Sequence, residues 1–180
     1  MSWCKAIAVV FLFTSPWTYP SAALADETSD APADSAASRA CFERFKALQG
    51  DWVGRSTRGW EETVSYRVIA GGSVVMATSF EAHPNETMVT LFALDNGRLG
   101  LTHYCVAGNQ PRLVAAEIHP DGQEVLFTFR DGGNLPTRNR GHMDRVVYRF
   151  LDDNRVSSRW TWFQDGKERW MEEITLERKP

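Results

Sequence analysis

The feature that most constrains this chain is a two-residue alternation of apolar and polar side chains, broken at short intervals by turn-forming clusters. Val64, Tyr66 and Val68 alternate with Ser65 and Arg67, a second face carries Val74, Met76, Thr78 and Phe80, and a third carries Thr90, Phe92 and Leu94. Period two is the signature of half-buried strands. The clusters between them include Ala70-Gly71-Gly72, Asp95-Asn96-Gly97, Gly108-Asn109-Gln110-Pro111, Pro120-Asp121-Gly122, Asp152-Asp153-Asn154 and Gln164-Asp165-Gly166. Such residues tolerate the positive φ of tight hairpins. About ten strands are predicted, with no helical stretch long enough for a parallel crossover. Antiparallel strands in meander order remove their free edges by closing, so the expected fold is all-β: an antiparallel up-and-down barrel, with a two-sheet sandwich as the alternative. A barrel of more than eight strands tends to keep unfilled space inside.

Before the strands, Ser38 is placed to cap a short helix in which Phe42, Phe45 and Leu48 recur at helical spacing until Gly50. The longest irregular piece between strands is expected over residues 131–141, with Pro136 and the basic run Arg138-Asn139-Arg140, a loop of the kind that could act as a lid.

The 180-residue chain is sized for one domain. Lys5, the apolar run 6–13 and the small-x-small site Ala23-Leu24-Ala25 predict a signal peptide over residues 1–25, hence export to the periplasm or the medium. Pro16 and Pro20 interrupt the apolar run, so stable membrane insertion is not expected. Residues 26–39 hold several acids and no large apolar side chain, the composition of a disordered linker, and the barrel domain is expected over residues 40–180. The formal net charge is −3 for the whole chain, −4 without residues 1–25, and −1 for residues 40–180. Without a basic surplus there is no electrostatic footprint for nucleic acid. Export leaves Cys41 and Cys105 in an oxidising compartment, either bridged to each other or free.

One run concentrates polar, titratable and turn-forming residues: residues 101–112, Leu-Thr-His-Tyr-Cys-Val-Ala-Gly-Asn-Gln-Pro-Arg. On a strand, Leu99, Leu101, His103 and Cys105 share a face, which the leucines mark as inward. His103 and Cys105, with His142 from another strand, could ligate a metal or haem iron; Cys105 and His103 could form a nucleophile and base; or both could simply line the barrel. Pro111 stiffens the following turn, which could present Asn109, Gln110 and Arg112 to a ligand at the barrel mouth. Trp52, Trp160 and Trp162 are candidates for cavity walls or for core packing. Glu61-Glu62 and Glu172-Glu173 are adjacent in sequence, so each pair splits across a strand, and both are expected on solvated faces.

The order Leu48-x-Gly50-x-Trp52-x-Gly54, then Gly71-Gly72, then residues 101–105 and 108–112 resembles a family of uncharacterised exported bacterial proteins with a lipocalin-like, calycin-type barrel, over residues 42–178. The resemblance implies a small barrel suited to an apolar or amphipathic molecule, and supplies no known substrate. Through Gly50-x-Trp52-x-Gly54 the chain is more distantly similar to nitrobindin-type haem barrels. Those use a histidine near the C-terminus as iron ligand, and residues 170–178 contain none. Haem would then require His103 or His142.

The expectation from sequence is therefore an exported barrel binding a small apolar or amphipathic ligand, with no cofactor identified. The alternatives are a metal or haem protein using His103, Cys105 and His142, and an enzyme using His103 as general acid–base.

Overall fold

The computed structural model describes residues 35–180, except residues 82 and 84 and the side chain of Trp170. The expected signal peptide, and residues 26–34 of the expected linker, lie outside the described residues. Helix α1 (Ser35–Ala47) precedes β1 (Gly50–Ser56), β2 (Glu61–Ile69), β3 (Val74–Ser79), β4 (Met88–Asp95), β5 (Arg98–Tyr104), β6 (Gln110–Ile118), β7 (Glu124–Gly133), β8 (His142–Asp152), β9 (Arg155–Gln164) and β10 (Lys167–Arg178), with one 3-10 turn, Ala70–Gly72. No described helix is long and apolar enough to cross a membrane.

Every strand pairs antiparallel with its neighbours in the chain, and β1 closes onto β10 from Trp52↔Arg178 to Ser56↔Ile174. The fold is a closed ten-strand up-and-down barrel with one short helix, as the alternation predicts. Closure demands a very close approach at Gly54. A Cβ there would stand 1.9 Å from the Thr175 carbonyl oxygen, so no other residue fits without parting the strands.

The helix does more than lead into the first strand. It covers one end of the barrel and sends Phe45, fully buried, into the interior. There the ring stacks on Phe92 at 4.2 Å between centroids and meets Tyr148 and Phe150 edge-on at 5.2 and 5.1 Å. Edge-to-face and offset packing is the favoured geometry for such rings. Trp52 is buried at the same end. Its indole N–H donates to the Leu48 carbonyl at 2.7 Å, and the Arg178 guanidinium lies over its ring at 4.4 Å. Arg178 also donates to the carbonyls of Ala47 and Gln49, both at 2.8 Å, satisfying groups left open where the helix ends.

Three expectations are corrected. The helix begins at Ser35, so residues 35–39 of the expected linker are helical, and Ser38 is buried inside the helix instead of capping it. Alanine-rich composition and docking on the barrel outweigh the lack of large apolar residues in that stretch. In β3 the inward face is Val75 and Ala77; Val74, Met76 and Thr78 face outward and are half-buried. Val75 lies opposite the buried Phe92 and Ala77 opposite the buried Thr90, and residues paired across a ladder share a face, so the register with β4 turns this set inward. Residues 131–133 belong to β7, paired with β6 as Arg112↔Asp131 and Gln110↔Gly133, which shortens the expected loop to residues 134–141. Of the two states open to Cys41 and Cys105, the free one holds: among the described residues both are free thiols. Cys41 is buried in the helix, whereas Cys105 follows β5 at the opposite end of the barrel.

Candidate functional site

With α1 over one end, the other end is framed by the connections β1–β2, β3–β4, β5–β6, β7–β8 and β9–β10. Just inside it, alternation turns three polar side chains inward. On β2 the inward set is Glu62, Val64 and Tyr66; on β10 it is Glu172, Ile174 and Leu176; on β5 it is Leu99, Leu101 and His103. Glu62 is 1% exposed, His103 3% and Glu172 9%.

These three side chains, with Tyr66, Thr90 and Trp160, are among those that line one cavity of about 40 Å³. Room of this size holds one or two water-sized groups. Glu62 Oε1 accepts the backbone N–H of Phe80 at 2.6 Å, and its Oε2 has no partner among the described residues. His103 Nδ1 lies 2.9 Å from the Thr90 hydroxyl, and its Nε2 has no partner among the described residues. Glu172 Oε2 is likewise buried without a partner among the described residues. Buried polar atoms normally find hydrogen bonds, so three orphans on one cavity mark a place built to hold something polar.

The electrostatics follow from the same burial. Desolvation pushes the Glu62 carboxyl up to about 7; the Phe80 N–H opposes this, while the charges of Glu172 and Glu81 reinforce it. Desolvation alone pulls His103 down to about 4, so its imidazole is uncharged at neutral pH. When Nδ1–H donates to Thr90, Nε2 offers a lone pair to the cavity.

Above the cavity lies a wider vestibule of about 410 Å³. Phe80, Met88, Met143 and Glu172 line both spaces and form the neck between them. The vestibule walls are Trp60, Trp162, Met171, Val106 and Cys105, with Arg58, His83 and Glu86 at the rim. Trp60 and Val106 are 53% and 50% exposed, large apolar side chains left open to solvent at the mouth. Phe80 holds a positive φ of 57°, an uncommon conformation for a bulky residue, which swings its ring back to the neck while Glu62 secures its N–H. At Gly141 a Cβ would stand 2.3 Å from the Trp162 ring, so this glycine is what lets the indole lie against the mouth.

The residues singled out from sequence are divided among different places. His103 and Trp160 share the inner cavity, their rings 5.0 Å apart. Cys105 and Trp162 line the vestibule. Trp52 belongs to the aromatic core at the plugged end.

Asn109 is buried and donates to the Gly141 carbonyl at 2.8 Å, tying two loops together. Gln110 donates back to the Gly108 carbonyl at 3.3 Å. Arg112 is exposed and paired with Asp131. His142, fully buried, lies between Phe129 and Phe163 where the β7–β8 pairing has ended at Thr128↔Arg145. Arg138 reaches over it, stacks on Phe163 and Phe129 at 3.9 and 4.4 Å, and donates to both His142 Nε2 and Asp144.

Accordingly, His103, Cys105 and His142 do not come together, and no group of three or more His, Cys, Asp or Glu among the described residues is placed to hold a metal ion. The Cys105 sulfur accepts the Ala107 N–H at 3.5 Å, and burial raises its pKa, the opposite of an activated nucleophile.

Glu62 and Glu172 are not among the site candidates that the sequence suggests, and the solvated placement expected for both carboxylate pairs is wrong for one member of each. The signal was present. Glu62 is in step with Val64 and Tyr66, and Glu172 with Ile174 and Leu176, so strand alternation applied to the carboxylates themselves would have turned both inward.

No protein-family model matches the chain, and no curated protein matches it. Among solved structures it is similar to a protein of unknown function from the DUF3598 family of Nostoc punctiforme, at 11% identity and a TM-score of 0.47 over 75% of this chain and 49% of that one. The chain spans about half the length of that structure.

Proposed function

We propose that the protein is a small-molecule carrier of the lipocalin-like, calycin type, exported from the cell, that takes an apolar or amphipathic ligand at the open end of its barrel. The observation that carries this reading is the neck of Phe80, Met88 and Met143. It joins an apolar, aromatic-walled vestibule to a buried cavity holding three unpartnered polar atoms. An apolar body would lie between Trp60 and Trp162 and its polar end would enter the cavity, the usual division of labour in ligand sites. Methionines at the neck suit such a role because their flexible thioethers adapt to different shapes.

The test is a fluorescence titration with N-phenyl-1-naphthylamine, a neutral apolar probe that brightens when it leaves water. Wild-type protein is expected to bind it saturably. Met143→Trp, which fills the neck, should weaken binding by about tenfold, or about 1.4 kcal/mol, while an exposed control such as Arg55→Lys should not. Unsaturable binding, or equal binding by a folded Met143→Trp variant, would overturn the reading.

A further inference from the structure

Resting on the carrier reading, we propose that the polar end of the ligand is a primary ammonium group, held by Glu62 Oε2, Glu172 Oε2 and His103 Nε2. These atoms are buried, line one cavity and lack partners among the described residues; His103 Nε2 presents a lone pair, and the carboxyl oxygens accept once ionised, the form that an incoming cation favours even for Glu62, which burial holds at about 7. An alkylammonium carries three N–H donors and no acceptor, and so matches such a set one for one. A hydroxyl brings only one donor. A carboxylate brings none and would be repelled by two glutamates.

Charge points the same way. Among the described residues, the charges that shift Glu62 are those of Glu172 and Glu81, both acidic, and no cation is among them. Burying carboxylates without a counter-charge is costly, and an incoming cation relieves that cost. Size also discriminates. About 40 Å³ accepts an ammonium and its first methylene, whereas a trimethylammonium head is too bulky and has no N–H to donate. The remaining chain would lie in the vestibule, against Trp60, Trp162 and Met171.

The test compares four ligands with the same eight-carbon chain by calorimetry at neutral pH: octylammonium, octyltrimethylammonium, octan-1-ol and octanoate. The expected order places octylammonium at least about tenfold tighter than octanol or octyltrimethylammonium, with octanoate weakest. Glu62→Gln and Glu172→Gln preserve shape and should each weaken octylammonium by about tenfold while leaving octanol within about twofold. Octanol, octyltrimethylammonium or octanoate binding as tightly as the amine would overturn the proposal, as would undiminished amine binding in both Gln variants. Binding of N-phenyl-1-naphthylamine without any binding of octylammonium would overturn the ammonium assignment alone. If neither bound, the carrier reading would fall with it.

Discussion

Glu62 and His103 face one buried cavity from strands β2 and β5, and each turns an unpartnered atom into it, Oε2 of the carboxyl and Nε2 of the imidazole. Burial acts on both in favour of the uncharged form, raising the acid to about 7 and lowering the base to about 4.

Their effects on stability therefore have opposite signs. Folded Glu62 keeps a proton that the unfolded chain, titrating near 4.5, has released, so stability falls as pH rises from 4.5 through 7. Unfolded His103 takes up a proton near 6.5 that the folded chain refuses until about 4, so stability falls as pH drops across that window. Each is worth roughly 3 kcal/mol over its full range. In wild type the two slopes oppose each other between 4.5 and 6.5. Glu62→Gln should leave a stability that rises with pH there, and His103→Gln one that falls. Urea denaturation at stepped pH reads both, and identical profiles in the two variants would contradict the assignment.

Phe45 is the plug of the closed end. Phe45→Ala removes a ring packed on Phe92, Tyr148 and Phe150, and is expected to cost about 3–5 kcal/mol in chemical denaturation. A loss below about 1 kcal/mol would mean that the helix covers the barrel without anchoring in it.

The seam between β1 and β10 depends on Gly54. Gly54→Ala should cost about 3 kcal/mol, because its methyl group would overlap the Thr175 carbonyl and force the strands apart. Hydrogen exchange should accelerate first at amides of residues 52–56 and 174–178. Uniform acceleration over the whole barrel would argue against a local seam.

Arg138 bridges the gap between β7 and β8. Its side chain is half-exposed, but its partner Asp144 is 7% exposed, so Arg138→Ala strands a buried carboxylate and should cost about 3 kcal/mol. Arg138→Lys should recover little, since an ammonium cannot reach His142 and Asp144 together while stacking flat on Phe129 and Phe163. Full recovery by lysine would show that charge alone matters there.

The thiols give a simple check on the arrangement of the two ends. Burial pushes Cys41 up to about 12, and Cys105 is less buried at the mouth, so iodoacetamide should modify Cys105 well before Cys41 in folded protein. Peptide mapping by mass spectrometry separates them, and equal labelling would contradict the plugged end.

Much of this architecture is legible from alternation and turn chemistry alone, because each strand carries its own face and each hairpin its own residues. Asn96-Gly97 and Asp165-Gly166, which adopt the positive φ expected of tight turns, are examples. Two things were not legible. The inward face of β3 is set by its register against β4, where Val75 lies opposite Phe92, a non-local pairing that local apolarity misstates. The insertion of Phe45 depends on how α1 docks, and its helical spacing is equally consistent with packing on the outside. At the site, His103 follows from its leucine neighbours, while Glu62 and Glu172 were hidden by the general rule that adjacent acids are solvated. His142 and Asn109 have partners in residues far along the chain, Arg138 and Gly141, that no local pattern reveals.

The most direct test is a crystal structure of the protein with N-phenyl-1-naphthylamine bound. The account predicts density for the probe between Trp60 and Trp162, reaching the neck at Met88 and Met143. A probe seated instead in the groove beside α1, between Cys41 and Gly122, with the open end unchanged, would contradict it.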